Sequence, residues 1–326
     1  MRTFFFSLLL LLVTISISAQ PKNEKQERQR IISSNVKSIT QWTHRFTAGK
    51  PNPTGFKTTE TFYDKKGNPI EIINYRSNGE ISSRLLYKYN DQNLRTEYLM
   101  YQKIDEGSDL KVYFKQSFNY NAKGLKTIEV VFDGVAGYRI VYEYFPDDQL
   151  KEIIKYGSGN RVDERWVYTY DGNNQQINIY SPDKNLTTIV KKKFDSKGNI
   201  LEDARFDTRG NEQKRVNYQY DSNSRMIEMV ELYAGRQIKK LQYQYNDLDL
   251  VTEILQYNND GTKFTQSKYS YDSKGNLIEE RWSEGDADEF SHKHSRFDKE
   301  GNLLEIDQYF APYRYRVLYK YSYSYH

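Results

Sequence analysis

A glutamate recurs along the chain at Glu71, Glu97, Glu152, Glu202, Glu228, Glu253, Glu279 and Glu305. Carboxylates in file could hold cations or move protons. If the units carrying them stack as hairpins, two strands separate successive members, about 9.6 Å at the usual sheet spacing, too far for two of them to share a calcium ion or a proton. Each is therefore expected to accept a bond from a tyrosine hydroxyl or to pair across the strands with Lys or Arg. His292 and His294 flank Lys293 and would share one strand face as a metal pair, but no third ligand follows at a metal-site spacing, and His44 and His326 stand alone. Asp286, Asp288 and Glu289 cluster after Gly285 without the spacing of an EF-hand loop. The chain has no nucleophile elbow, P-loop, H-E-x-x-H or C-x-x-C pattern. No catalytic, cofactor-binding or metal-binding residue is assigned.

The aromatic residues are the stronger lead. Tyrosine occurs 30 times, and rows of Tyr and Trp on a sheet offer flat rings for sugar stacking, hydroxyls for hydrogen bonds and low-entropy contact area for a protein. Tyr218, Tyr243, Tyr269, Trp282 and Tyr319 are the candidate ligand contacts. The competing role of these rings is structural, because at two per strand they can replace an aliphatic core.

These residues are positioned by a repeat. In Tyr269-Ser270-Tyr271-Asp272-Ser273-Lys274-Gly275-Asn276-Leu277-Ile278-Glu279 the two tyrosines lie two apart and share one face of a strand. Asp272 opens a D-x-x-G turn: an Asx side chain bonds the backbone two residues on, and Gly275 takes the positive φ of a G1 bulge. The aromatic anchor before the turn recurs at Tyr63, Tyr89, Tyr120, Tyr144, Tyr170, Phe194, Tyr220, Tyr245, Tyr271 and Phe297, in steps of 24 to 31 residues. A second aromatic follows each anchor by 10 to 13 residues, from Tyr75 to Tyr309. Each unit reads strand, turn, strand, turn, and a fixed period of this length marks an array whose units bury their apolar faces against neighbours.

The pattern resembles the YD repeat of RHS proteins, most clearly at Tyr63, Asp64 and Gly67, at Phe194, Asp195 and Gly198, at Tyr271, Asp272 and Gly275, and at Phe297, Asp298 and Gly301. The resemblance implies long β-sheets of tandem hairpins. The RHS core segment and a C-terminal toxin domain have no counterpart here, so only the fold is carried over. The units at Tyr144 to Asp148 and Tyr245 to Asp249 lack the turn glycine. The expected architecture is all-β: an elongated antiparallel meander of about ten hairpins in one twisted or coiled sheet, on the order of 95 Å long if open.

Residues 1–19 read as a cleaved signal peptide, with Arg2, an apolar run from Phe4 to Ile17, and Ser18-Ala19 before the cut. There is no cysteine, hence no disulfide and no lipobox to acylate. Secretion or a periplasmic location follows, and no later apolar segment is long enough for a spanning helix. Lys and Arg number 48 against 44 Asp and Glu, interleaved along the chain, which gives no basic block for nucleic acid. A mean hydropathy of −0.88 describes a chain poor in aliphatic core. Residues 20–35 are polar with a short helix around Glu24 to Ile32, residues 36–62 form an atypical capping hairpin, and 63–326 form the array. The aromatic last stretch, with Tyr319, Tyr321, Tyr323 and Tyr325 on one face, would leave an edge open to self-association or to a partner strand.

The expected function is that of an exported, noncatalytic binding or structural surface in the bacterial envelope, for a glycan or a protein. The alternative is a carbohydrate-active enzyme using carboxylates and tyrosines on a concave face. The one long step, with its insertion from Gln102 to Val112, contains no base–nucleophile pair, which favours the binder.

Overall fold

The computed structural model describes residues 24–326 apart from 104, 106, 259 and 284–289. The stretch expected to be a signal peptide, and Asp286, Asp288 and Glu289, lie outside the described residues. Within them one helix, α1 (Glu24–Ser33), precedes strands joined by turns, with single 3-10 turns at Ser158–Asn160 and Ala311–Tyr313.

Successive strands pair antiparallel, as tandem hairpins require, but the sheet has no free ends. The first strand, Val36–Thr47, pairs on one side with Phe56–Tyr63 and on the other with the last strand, Tyr315–Tyr325, from Val36 opposite Tyr325 to Arg45 opposite Val317. The two-residue strand Lys50–Pro51 only extends the first turn; the other 22 of the 23 strands form one closed ring. The open, elongated meander is therefore corrected to a closed antiparallel β-barrel. An open sheet leaves two rows of unpaired backbone groups, and closure pairs both. The expected edge for self-association goes with it, since the last strand is covered by the chain's own first strand. Residues 36–62 supply the strands through which the ring closes.

Register sets the shape. Tyr243, two residues before the anchor Tyr245, faces Ile254, which faces Ser267, four before the anchor Tyr271. Tyr142, Ile153 and Trp166 repeat the step. A drift of two residues per hairpin tilts the strands by about 35°, and 22 such strands close at a diameter of about 41 Å with a wall about 20–25 Å tall. The wall is a single layer, and its two apolar clusters each draw on consecutive strands only.

The turns at the rim bearing both chain ends, the near rim, follow the predicted chemistry. At Asp195 the side chain accepts the N–H groups of Lys197 and Asn199 at 2.9 and 2.8 Å, while the Asn199 amide donates to its second oxygen at 2.8 Å. Asp64, Asp272 and Asp298 repeat the set. Where glycine is missing its backbone conformation is kept: Asn93, Asp148, Ser224 and Asp249 have φ of 60°, 69°, 63° and 58°. Neighbouring turns are tied around the rim, as where Lys197 donates to the Ser222 carbonyl and Arg225 to Asp249.

No described helix is long and apolar enough to cross a membrane, which says nothing of a barrel. A closed ring of strands is the one β architecture that can span a bilayer. The expectation that the chain does not span a membrane rested on the want of an apolar helix, and it is withdrawn.

Candidate functional site

Strand alternation gives the wall two chemically distinct faces. One carries the glutamate row, and every member is in an ion pair. Glu97 meets Lys88 at 2.8 Å, Glu202 meets Arg215 at 3.3 Å, Glu228 meets Lys240 at 2.9 Å, Glu253 meets Lys268 at 3.4 Å, Glu279 meets Arg281 at 2.6 Å and Glu305 meets Arg296 at 3.5 Å. Glu71 pairs with Arg84 and Glu152 with Arg165. Cross-strand pairing, the expected structural role, accounts for seven of the eight, and Glu279 pairs with Arg281 along its own strand. His292 and His294 lie on this face with ring centroids 5.0 Å apart, His292 against Tyr309 and His294 3.8 Å from Glu279. Burial and the neighbouring His294 lower the pKa of His292.

The other face carries the tyrosines, in two tiers with different duties. Most anchor hydroxyls are spent on the backbone of the preceding unit: Tyr89 donates to the Pro69 carbonyl, Tyr120 to Arg95, Tyr144 to Lys126, Tyr170 to Leu150, Tyr245 to Met226 and Tyr271 to Val251, at 2.6 to 3.0 Å. Tyr323, 26 residues after Phe297, makes the same bond to Leu303 and is an anchor that the turn pattern did not reveal, because no turn follows it. The inner tier stands two residues earlier. Tyr87, Tyr168, Tyr218, Tyr243 and Tyr321 belong to it, and no hydrogen bond from their hydroxyls to another described residue is present.

All five candidate contact residues lie on this face. Tyr243 and Tyr269 are buried in one cluster with Leu241 and Ile254, and Tyr218 packs against it. Trp282 lies edge-on to Phe310, and Tyr319 stands opposite Ile306, strands away from that cluster. Burial, with Asp203 nearby, pushes the Tyr218 phenol up to about 12. Burial also raises Tyr243.

Glu129 is a functional candidate that the sequence reading passed over. It is buried on the tyrosine face, where it accepts from Lys126 at 2.9 Å, from the Tyr142 hydroxyl at 3.0 Å and from Gln116. The signal was present: Glu129 comes nine residues after its anchor where the glutamate row comes eight, and on a strand one residue reverses the face.

At the near rim α1 lies over the tyrosine face. Arg30 is held by Glu27 and donates to the Asn302 side chain, and Ile31 is 1% exposed. Gly67 lets the helix come close, since a Cβ there would stand 2.7 Å from the Arg28 carbonyl oxygen. Between α1 and the wall is a cavity of about 310 Å³ bounded by Gln41, Thr61, Tyr63, Phe297, Leu303 and Tyr321.

These features define a class: a single-walled β-barrel of tandem hairpins with an ion-paired face and a tyrosine face. No family model and no curated protein matches the chain. Solved structures similar to parts or all of it include a porin-like protein from Bacteroides uniformis, with TM-score 0.33 and 10% identity over 89% of this chain and 96% of that one. A porin-like protein from Bacteroides vulgatus gives 0.24 and 15% over 89% and 98%. The Photorhabdus luminescens Tc holotoxin pore gives 0.27 and 13% over 83% of this chain, which spans only 19% of that one. Scores this low leave function to be argued from the barrel's own geometry.

Proposed function

We propose that the protein is an exported, noncatalytic β-barrel of the bacterial cell envelope, built from degenerate YD-type hairpins, whose tyrosine face binds a glycan or a protein. The observation that carries this reading is the division of hydroxyls: those of the anchors Tyr89, Tyr120, Tyr144, Tyr170, Tyr245, Tyr271 and Tyr323 hold unit to unit, while those of the inner-tier residues Tyr87, Tyr168, Tyr218, Tyr243 and Tyr321 have no hydrogen bond to another described residue. Unused hydroxyls on aromatic rings are suited to a polyhydroxylated or amphipathic ligand. Most buried wall residues, among them Trp166, Ile179, Leu241, Ile254 and Val317, fall on the tyrosine face. Curvature crowds side chains on the concave side of a sheet, so this face is read as lining the lumen. Export rests on the apolar N-terminal run. The absence of catalysis rests on carboxylates committed to ion pairs rather than converging on a shared point.

The test is a screen of the purified protein against envelope glycans, with a pull-down from periplasmic extract and fractionation of cells. Saturable, reversible binding and recovery with the envelope are expected. Release of reducing ends from a polysaccharide would overturn the noncatalytic reading, and retention of neither glycan nor protein would overturn the binding reading.

A further inference from the structure

The cavity under α1 differs from the rest of the tyrosine face in being enclosed on two sides. Its charges cancel internally: the Arg30 guanidinium is bound by the Glu27 carboxylate and the side-chain amide oxygen of Asn302. What remains for a guest is uncharged. The Tyr63 and Tyr321 hydroxyls and the Gln41 side-chain amide have no hydrogen bond to another described residue, and Gln41 and Tyr321 stand opposite each other in the sheet. Phe297 and Leu303 add apolar surface to the same cavity. Neutral donors and acceptors alternating with ring surface, in about 310 Å³, match the edges and faces of a sugar ring, at the small end of ligand-pocket volumes.

We propose that this cavity is a subsite for a neutral saccharide of one or two rings, gripped between α1 and the wall. The proposal rests on the glycan branch of the functional reading and gives it a location. Tyr321 and Gln41 supply the directional bonds, and α1 forms one wall of the site, so binding should also hold the helix in place.

The experiment is calorimetric titration of the purified protein with maltose, cellobiose and N,N′-diacetylchitobiose, and with a uronic acid disaccharide as the charged control. At least one neutral probe should bind, and Tyr321→Phe and Gln41→Leu should each weaken it about tenfold, while Tyr271→Phe, an anchor elsewhere on the same face whose hydroxyl is committed to the Val251 carbonyl, leaves it unchanged. Circular dichroism of each variant separates lost binding from lost folding. Binding that survives Tyr321→Phe and Gln41→Leu but falls in the inner-tier variant Tyr243→Phe would overturn this location and leave the binding surface standing. Binding of the uronic acid disaccharide alone would overturn the neutral assignment. No binding of any probe would overturn the subsite, whereas the broader reading stands or falls on the envelope screen.

Discussion

At the scale of single residues, the turns are where backbone and side-chain chemistry can be separated. Gly198 has φ of +84° and open space around a would-be Cβ, so Gly198→Ala meets backbone strain alone and should cost about 1 kcal/mol. Ser224 already bears that strain, at φ 63°, and Ser224→Gly should return about 0.5–1 kcal/mol. Urea unfolding of the two variants, with opposite shifts in midpoint, checks both. The Asx residue governs acid lability. The Asn199 side-chain amide, joined by backbone N–H groups, holds the Asp195 carboxyl below the usual range. A depressed folded-state pKa contributes stability above the unfolded value near 3.9, and that contribution is lost as pH falls through the lowered value. Asp195→Asn keeps an acceptor, as Asn121 does at its own turn, and should fold. It should melt below the parent at pH 7, with the gap closing below about pH 4; thermal midpoints at pH 7 and pH 3 read this directly.

At the scale of elements, the unit of cohesion is the bond from an anchor tyrosine to the strand before it. Tyr245→Phe removes a 2.6 Å bond to the Met226 carbonyl and should cost about 1 kcal/mol. Tyr218→Phe removes a hydroxyl with no such bond and should stay within about 0.5 kcal/mol. Equal losses in chemical denaturation would mean that the two tiers do not differ. Much at this scale was legible beforehand. Two tyrosines two apart, an Asx, and a glycine three residues later mark strand and turn because each residue type has a local backbone reason to be there. The eight-residue offset of the glutamates placed them together because face follows parity on a strand. The tiers were not legible, since Tyr243 and Tyr245 look alike in sequence and differ in that only the Tyr245 hydroxyl has a neighbouring carbonyl within reach. The docking of α1 was hidden as well: Ile31 sits in a polar segment, and its burial depends on Gly67 and Asn302, turns distant in sequence that only the closed ring brings together.

At the scale of the whole molecule, closure is a sum rather than a local signal. A drift of two residues per hairpin, carried around the ring, must bring the first strand beside the last in register, and no single repeat announces that it will. Tyr319 to Tyr325 read as an exposed edge because nothing near them in sequence could cover them; Thr43 to Val36, almost the whole chain away, do so. Ring and ribbon have the same strands, turns and cross-strand pairs, so most local measurements cannot tell them apart, whereas their dimensions differ widely. A ring about 41 Å across and about 20–25 Å tall has a radius of gyration of about 22 Å, against about 30 Å for the same strands laid out in a sheet about 105 Å long. A compact globule of this length would come near 20 Å. Small-angle scattering of the purified protein should therefore give about 22 Å with a largest dimension of roughly 55 Å, the profile of a hollow object. A largest dimension beyond about 100 Å would return the chain to an open ribbon, and the Val36–Tyr325 seam would then be absent in solution.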